Sequence, residues 1–150
     1  MIYLGADHRG FKLKEKIKKW LKKWEVEYED LGNVNYEKKD DYVDFAEKVA
    51  EAVGLDKEAK GILICRSGVG MDIVANKVKK VRSVLGFNKK QVKMAVRDDQ
   101  VNVLSLAANY ISQHKAKCLV KAFLKAKPKM KKRYLRRIKK INKIEEALCG

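Results

Sequence analysis

The residues best placed to do chemistry in this chain stand in Gly61-Ile62-Leu63-Ile64-Cys65-Arg66-Ser67-Gly68-Val69-Gly70-Met71-Asp72. An apolar run ends in a cysteine, a hydroxyl residue follows beside a glycine turn, and helical spacing begins. A buried strand that delivers a thiol to such a turn sets it beside a ready-made anion site, because N–H groups of the backbone from Gly68 to Met71 converge there and a helix dipole adds positive potential. That potential suits both a reactive thiol and the oxyanion of an enediolate. The same cysteine also fits a plain core thiol at a strand end.

Asp7 and His8 close the first apolar run, Ile2–Ala6. Asp7 by itself fits a helix N-cap. His8 beside it supplies an imidazole, suited to holding a phosphate or a sugar hydroxyl. Arg133 and Arg137 lie one helical turn apart, so their guanidinium groups can clamp a phosphate together, although a solvated helix face has the same pattern. Leu135, Ile138, Ile141, Ile144 and Leu148 give that helix a second, apolar face that must pack against something, a second subunit being one candidate. Asp98 and Asp99 precede the last apolar run on its entry side, where adjacent acids usually serve solvation.

These residues need a frame. Strands are expected at Ile2–Ala6, Val26–Leu31, Gly61–Cys65, Val81–Phe87 and Val101–Ala107. Helical spacing recurs after each of them: from Phe11 to Trp24, Tyr42 to Val53, Val69 to Lys79, Lys89 to Val96 and His114 to Ala126. Alternating strands and helices imply a three-layer, Rossmann-like α/β fold, with a five-stranded parallel sheet covered by helices on both faces and a basic C-terminal helix. In the flavodoxin-like order 2-1-3-4-5, the first and third strands are neighbours, and ligands bind outside their carboxyl ends. Asp7-His8 then meets Cys65-Arg66-Ser67. Residues 1–150 read as one domain, with 128–150 as a helical tail beginning at Pro128, the only proline.

At 150 residues and 46% hydrophobic, the chain can bury a real core. Its net charge of +17 invites a nucleic-acid reading. The lysines are spread over nearly every helix, as in Lys12-Leu13-Lys14-Glu15-Lys16, and read as solvated faces; only 127–143 is dense enough to count as a patch. Cys65, Cys118 and Cys149 are too few and too scattered for a disulfide framework, which fits a reducing compartment. With neither a signal peptide nor a membrane span legible, a soluble cytoplasmic protein is expected, with no membrane or nucleic-acid partner.

With these blocks in order, the chain resembles the type B ribose-5-phosphate isomerases and their galactose-6-phosphate isomerase relatives over essentially its full length. The resemblance rests on Gly5-Ala6-Asp7-His8-Arg9-Gly10-Phe11-Lys12-Leu13-Lys14, Asp41-Tyr42, Gly61 to Met71, Ala75-Asn76-Lys77, Asn102-Val103-Leu104, and Arg133 with Arg137. It implies an aldose–ketose isomerase of phosphorylated sugars, most simply of ribose 5-phosphate and ribulose 5-phosphate, working without metal or cofactor. Cys65 would move the proton through an enediolate held by the backbone of Gly68, Val69, Gly70, Met71 and Asp72, with Ser67 bonded near the reacting carbonyl. Asp7 and Tyr42 would contact sugar hydroxyls, and His8, Arg133 and Arg137 the phosphate. The resemblance further implies a homodimer or tetramer with the site between subunits and the tail arginines supplied by the neighbour.

Asp98 and Asp99 stand where the family has a ring-opening histidine and an asparagine. Asp98 would take over ring opening, and Asp99 would face the sugar. Arg66 replaces a glycine and adds charge at the mouth of the site, Asn109 replaces an arginine, and Tyr134 replaces a histidine. These departures keep two further readings open: an isomerase of another aldose phosphate, of the galactose or allose 6-phosphate type, and a catalytically silent relative that binds sugar phosphate or RNA.

Overall fold

The computed structural model describes residues 1–149, without the side chain of Cys149. The third thiol of the sequence analysis therefore lies outside the described residues, while Cys65 and Cys118 are free. The elements run β1 (Ile2–Ala6), α1 (Phe11–Lys23), β2 (Tyr28–Asp30), α2 (Tyr42–Leu55), β3 (Lys60–Cys65), α3 (Val69–Ala75), β4 (Ser83–Leu85), α4 (Lys89–Asp99), β5 (Val103–Ala107), α5 (Gln113–Lys125) and α6 (Lys132–Cys149). Three helices begin at side-chain caps: Asp41 accepts from the Val43 amide, Asn88 from Gln91 and Ser112 from Lys115.

All strand pairs are parallel, in the order β2-β1-β3-β5-β4. β1 and β3 are neighbours as expected, but the last two strands exchange places relative to 2-1-3-4-5. Burial accounts for the exchange. All five residues of β5 are buried, whereas the three of β4 are only half-buried, so β5 takes the inner position and β4 the edge. The carboxyl end of β5 thereby lies against Cys65: the Ala108 amide donates to the Cys65 carbonyl at 2.9 Å and the Asn109 amide to that of Arg66 at 3.1 Å.

Strand residues alternate between two cores. Ile62, Ile64, Leu104 and Leu106 face α1, α4 and α5, packing with Ile17, Leu21, Val96, Leu119 and Phe123. Leu63, Cys65 and Val103 face α2 and α3, packing with Ala46, Val49, Ala50, Met71 and Ala75. β2 and β4 are shorter than their apolar patterns suggest. α4 runs longer, so that Asp98 and Asp99 form its last turn instead of a loop. No helix among the described residues is long and apolar enough to cross a membrane.

The tail folds back. Tyr134 and Ile138 are buried against the body, and the Lys80 amide donates to Glu145 Oε1 at 2.8 Å. Of the apolar face read from the sequence only Ile138 turns inward; Leu135, Ile141, Ile144 and Leu148 remain exposed.

Candidate active site

Cys65 is the last residue of β3 and only 5% exposed, yet its sulfur faces the turn: Sγ accepts from the Gly68 amide at 3.1 Å. Gly68 makes that approach with φ +74°, and a Cβ there would come within 3.1 Å of the Leu106 backbone, so the tight return of the chain calls for glycine. Ser67 Oγ accepts from the Val69 amide at 3.3 Å, and the Asp72 amide donates to the Gly68 carbonyl at 3.1 Å. Of the five backbone amides anticipated as an anion hole, three thus have partners inside the turn. Those of Gly70 and Met71, in the open first turn of α3, have none among the described residues. The Asp72 side chain turns away and accepts from Ser83 Oγ at 2.6 Å. Arg66 is exposed beside the turn.

The β1–α1 loop meets this turn as the adjacent strands require. Asp7 is 7% exposed, and its Oδ1 accepts from the Arg9 and Gly10 amides, each at 3.0 Å, so it braces the approach to α1 instead of capping the helix itself. Burial raises the Asp7 carboxyl above its ordinary pKa of 3.8; the Gly10 amide opposes that shift and the nearby Asp40 adds to it. Gly10 packs so closely on β3 that a Cβ would sit 2.2 Å from the Ile64 carbonyl oxygen. Tyr42 opens α2, half in solvent, with its ring on Gly70.

Two residues beyond the sequence reading belong to this group. Asp40 Oδ1 lies 2.7 Å from His8 Nδ1 and accepts from the His8 amide at 3.2 Å, while Oδ2 accepts from Asn33 Nδ2 at 2.8 Å. Lys14, read above as part of a solvated face, is fully buried. Its ammonium pairs with Asp30 at 2.6 Å and donates to the Asn33 carbonyl. A buried charge needs such partners. Its position had a sequence signal, because Lys14 falls on the apolar stripe of Phe11, Ile17 and Leu21; Asp40, in an irregular loop, had none. Asp7, His8 and Asp40 bring ligand-type atoms within 4.8 Å of one another, but Nδ1, both oxygens of Asp40 and one of Asp7 are committed to the bonds just described.

The remaining predicted residues gather at the other edge of the sheet. Among the described residues Asp98 Oδ1 is buried without a hydrogen-bond partner, 3.9 Å from Arg97 Nε, and the Asp99 carbonyl accepts from Arg82 Nε at 2.9 Å. The Lys129 amide donates to the Arg97 carbonyl at 2.8 Å, which brings α6 alongside. There the guanidinium groups of Arg133 and Arg137 lie 4.9 and 5.7 Å from the centre of the Tyr134 ring, and Arg133 Nη2 donates to the Tyr134 hydroxyl at 3.0 Å, lowering the phenol's pKa. Asp98 and Asp99 precede the entry end of β5, whereas Cys65 pairs with its last residue, Ala107, about a strand length of roughly 13–16 Å away.

A family model described as Ribose/Galactose Isomerase matches residues 2–141. The chain belongs to this family. A probable ribose-5-phosphate isomerase B of Mycoplasma genitalium is 39% identical over 147 residues, covering 97% of this chain and 95% of the relative. Ribose-5-phosphate isomerase B of Escherichia coli is 34% identical, covering 97% and 96%. The crystal structure of the Mycoplasma genitalium enzyme with bound ribulose-5-phosphate superposes with a TM-score of 0.92 at 38% identity, covering 97% of this chain and 95% of that one. The Clostridium thermocellum ribose-5-phosphate isomerase B gives 0.91 at 36% identity, with 98% of each chain covered. These similarities place the chain among enzymes that isomerise phosphorylated sugars, and they bear out the family resemblance carried by the Asp7-His8 and Cys65 to Met71 blocks.

Proposed function

We propose that the protein interconverts ribose 5-phosphate and ribulose 5-phosphate, with Cys65 moving the proton between C1 and C2. The observation that carries this reading is the sulfur at the Gly68 turn, because a base for an enediolate must lie beside donors for the oxygen that becomes negative. The Gly70 and Met71 amides are the donors left for that oxygen, and Ser67 lies next to them. Asp7 and Tyr42 contact sugar hydroxyls, His8 the phosphate, and Arg66 lies at the mouth. The ribulose-5-phosphate held by the Mycoplasma genitalium relative supports this choice of substrate.

Arg133 and Arg137 lie against Tyr134, near the Asp98 end of α4, and in this reading a second copy brings them to the Cys65 turn as the phosphate clamp, together with Asp98 for ring opening and Asp99 beside the sugar. The exposed Leu135, Ile141, Ile144 and Leu148 on α6 offer apolar surface for that pairing.

The test is an isomerisation assay on the purified protein with pentose and hexose phosphates, run also on co-refolded mixtures of Cys65→Ala with the Arg133→Ala, Arg137→Ala double variant. Turnover of ribose 5-phosphate is expected. The two inactive proteins mixed equally should recover about a quarter of wild-type activity, because each mixed dimer holds one intact site. A mixture that stays silent would show that the arginines are not supplied by a second copy. Turnover confined to a hexose phosphate would favour the second reading, to which Asp98 and Asp99 lend weight by replacing two family residues near the sugar.

A further inference from the structure

We infer that Asp40 is the positioning residue for His8: its carboxylate captures Nδ1 and turns Nε2 toward an open cleft of about 400 Å³ lined by His8, Arg9, Tyr36 and Lys38. The inference rests on the reading of His8 as a substrate contact, but its geometry stands by itself. Asp40 is held on three sides. Oδ1 takes both the ring nitrogen and the main-chain amide of His8, Oδ2 takes the Asn33 side chain, and the Asn33 carbonyl is pinned by the buried Lys14 ammonium. The carboxylate is 5% exposed, so no solvent exchange softens the arrangement. The imidazole meets the Tyr36 ring edge-on with centroids 6.3 Å apart, which limits its rotation from a second side.

A free imidazole divides its proton between two nitrogens and samples several ring orientations. With Nδ1–H committed to a carboxylate, Nε2 is the one ring nitrogen left to bond anything else, and in the imidazolium form its N–H donates to an anion entering the cleft that Arg9 and Lys38 also line. Asp40 touches no substrate in this scheme. Its effect passes through His8, so it belongs to binding and not to the proton transfer at Cys65.

The experiment combines kinetics with nitrogen-15 NMR of the imidazoles, a simple spectrum because the chain has two histidines, His8 and His114. Asp40→Ala should raise KM for the sugar phosphate about tenfold while kcat stays within about twofold, the scale of one charged hydrogen bond. The His8 signals should lose their fixed Nδ1–H form. Asp40→Asn, whose amide oxygen can still accept from Nδ1, should restore that form and most of the affinity. In a His8→Ala background, Asp40→Ala should change KM no further. An unchanged tautomer in Asp40→Ala, or an equal KM effect with His8 already removed, would overturn the inference. Should the wild type turn over no sugar phosphate, the proposed function fails, and the NMR comparison still decides whether Asp40 orients His8.

Discussion

The ring of Tyr42 rests directly on the backbone of Gly70: a Cβ at residue 70 would lie 2.5 Å from Tyr42 Cε2 and 2.6 Å from Cζ. Tyr42 is 38% exposed and can swing outward, so Gly70→Ala should cost at most about 1–2 kcal/mol of stability, partly offset by alanine's better helix propensity. Its activity should fall as far as that of Tyr42→Ala, and the double variant should be no worse than either. Chemical denaturation and kcat/KM over this cycle check the coupling.

Cys65→Ala should lower kcat by about 10²–10⁴, the usual worth of a positioned base, and still fold, at a cost of about 1–3 kcal/mol for the Gly68 amide left without its acceptor. Cys65→Ser keeps an acceptor for the Gly68 amide and should be equally inactive, because a hydroxyl is a far poorer base. Retained turnover in either variant removes Cys65 from the mechanism.

Asp7→Asn should separate stability from activity. The Asp7 carboxyl is raised mainly by burial, so between its unfolded value of 3.8 and its folded value the native state binds more protons, and stability falls as pH rises through that window. An asparagine can still accept from the Arg9 and Gly10 amides without that ionisation cost. Urea midpoints should therefore favour Asp7→Asn at about pH 7 and converge with wild type in acid. Loss of a charged hydrogen bond to substrate, about 1.5–3 kcal/mol, should lower kcat/KM ten- to hundredfold.

Lys14→Met should destabilise the fold by about 3–5 kcal/mol, because it leaves the Asp30 carboxylate largely buried with only Lys18 as a charged partner. Burial acts to raise Asp30, but hydrogen bonds from Lys14 and Lys18 outweigh it and hold the carboxyl below its ordinary 3.8. Its contribution is present above about that pH and lost as pH falls toward the folded value. Acid titrations of wild type and Asp30→Asn, followed by circular dichroism, should show a shallower acid limb in the variant.

Much of this protein was determined by its sequence alone, because the signals are local. Apolar period and turn glycines marked every strand and helix in approximate position, and the cysteine at the end of the apolar β3 run was legible in the local pattern. Tertiary structure decided the rest. The exchange of β4 and β5 depends on which strand can bury both faces, a competition between segments that neither one encodes by itself. The bond from His8 to Asp40 joins residues 32 apart across two irregular loops, where no periodicity exists to read. Lys14 looked like one surface lysine among many until Asp30 and the Asn33 carbonyl closed over it. The chain entering α6 bonds back to Arg97, beside Asp98, and α6 sets Arg133 and Arg137 against the Tyr134 ring. Short-range patterns specify elements; the placing of polar side chains from distant loops follows only from the packed whole.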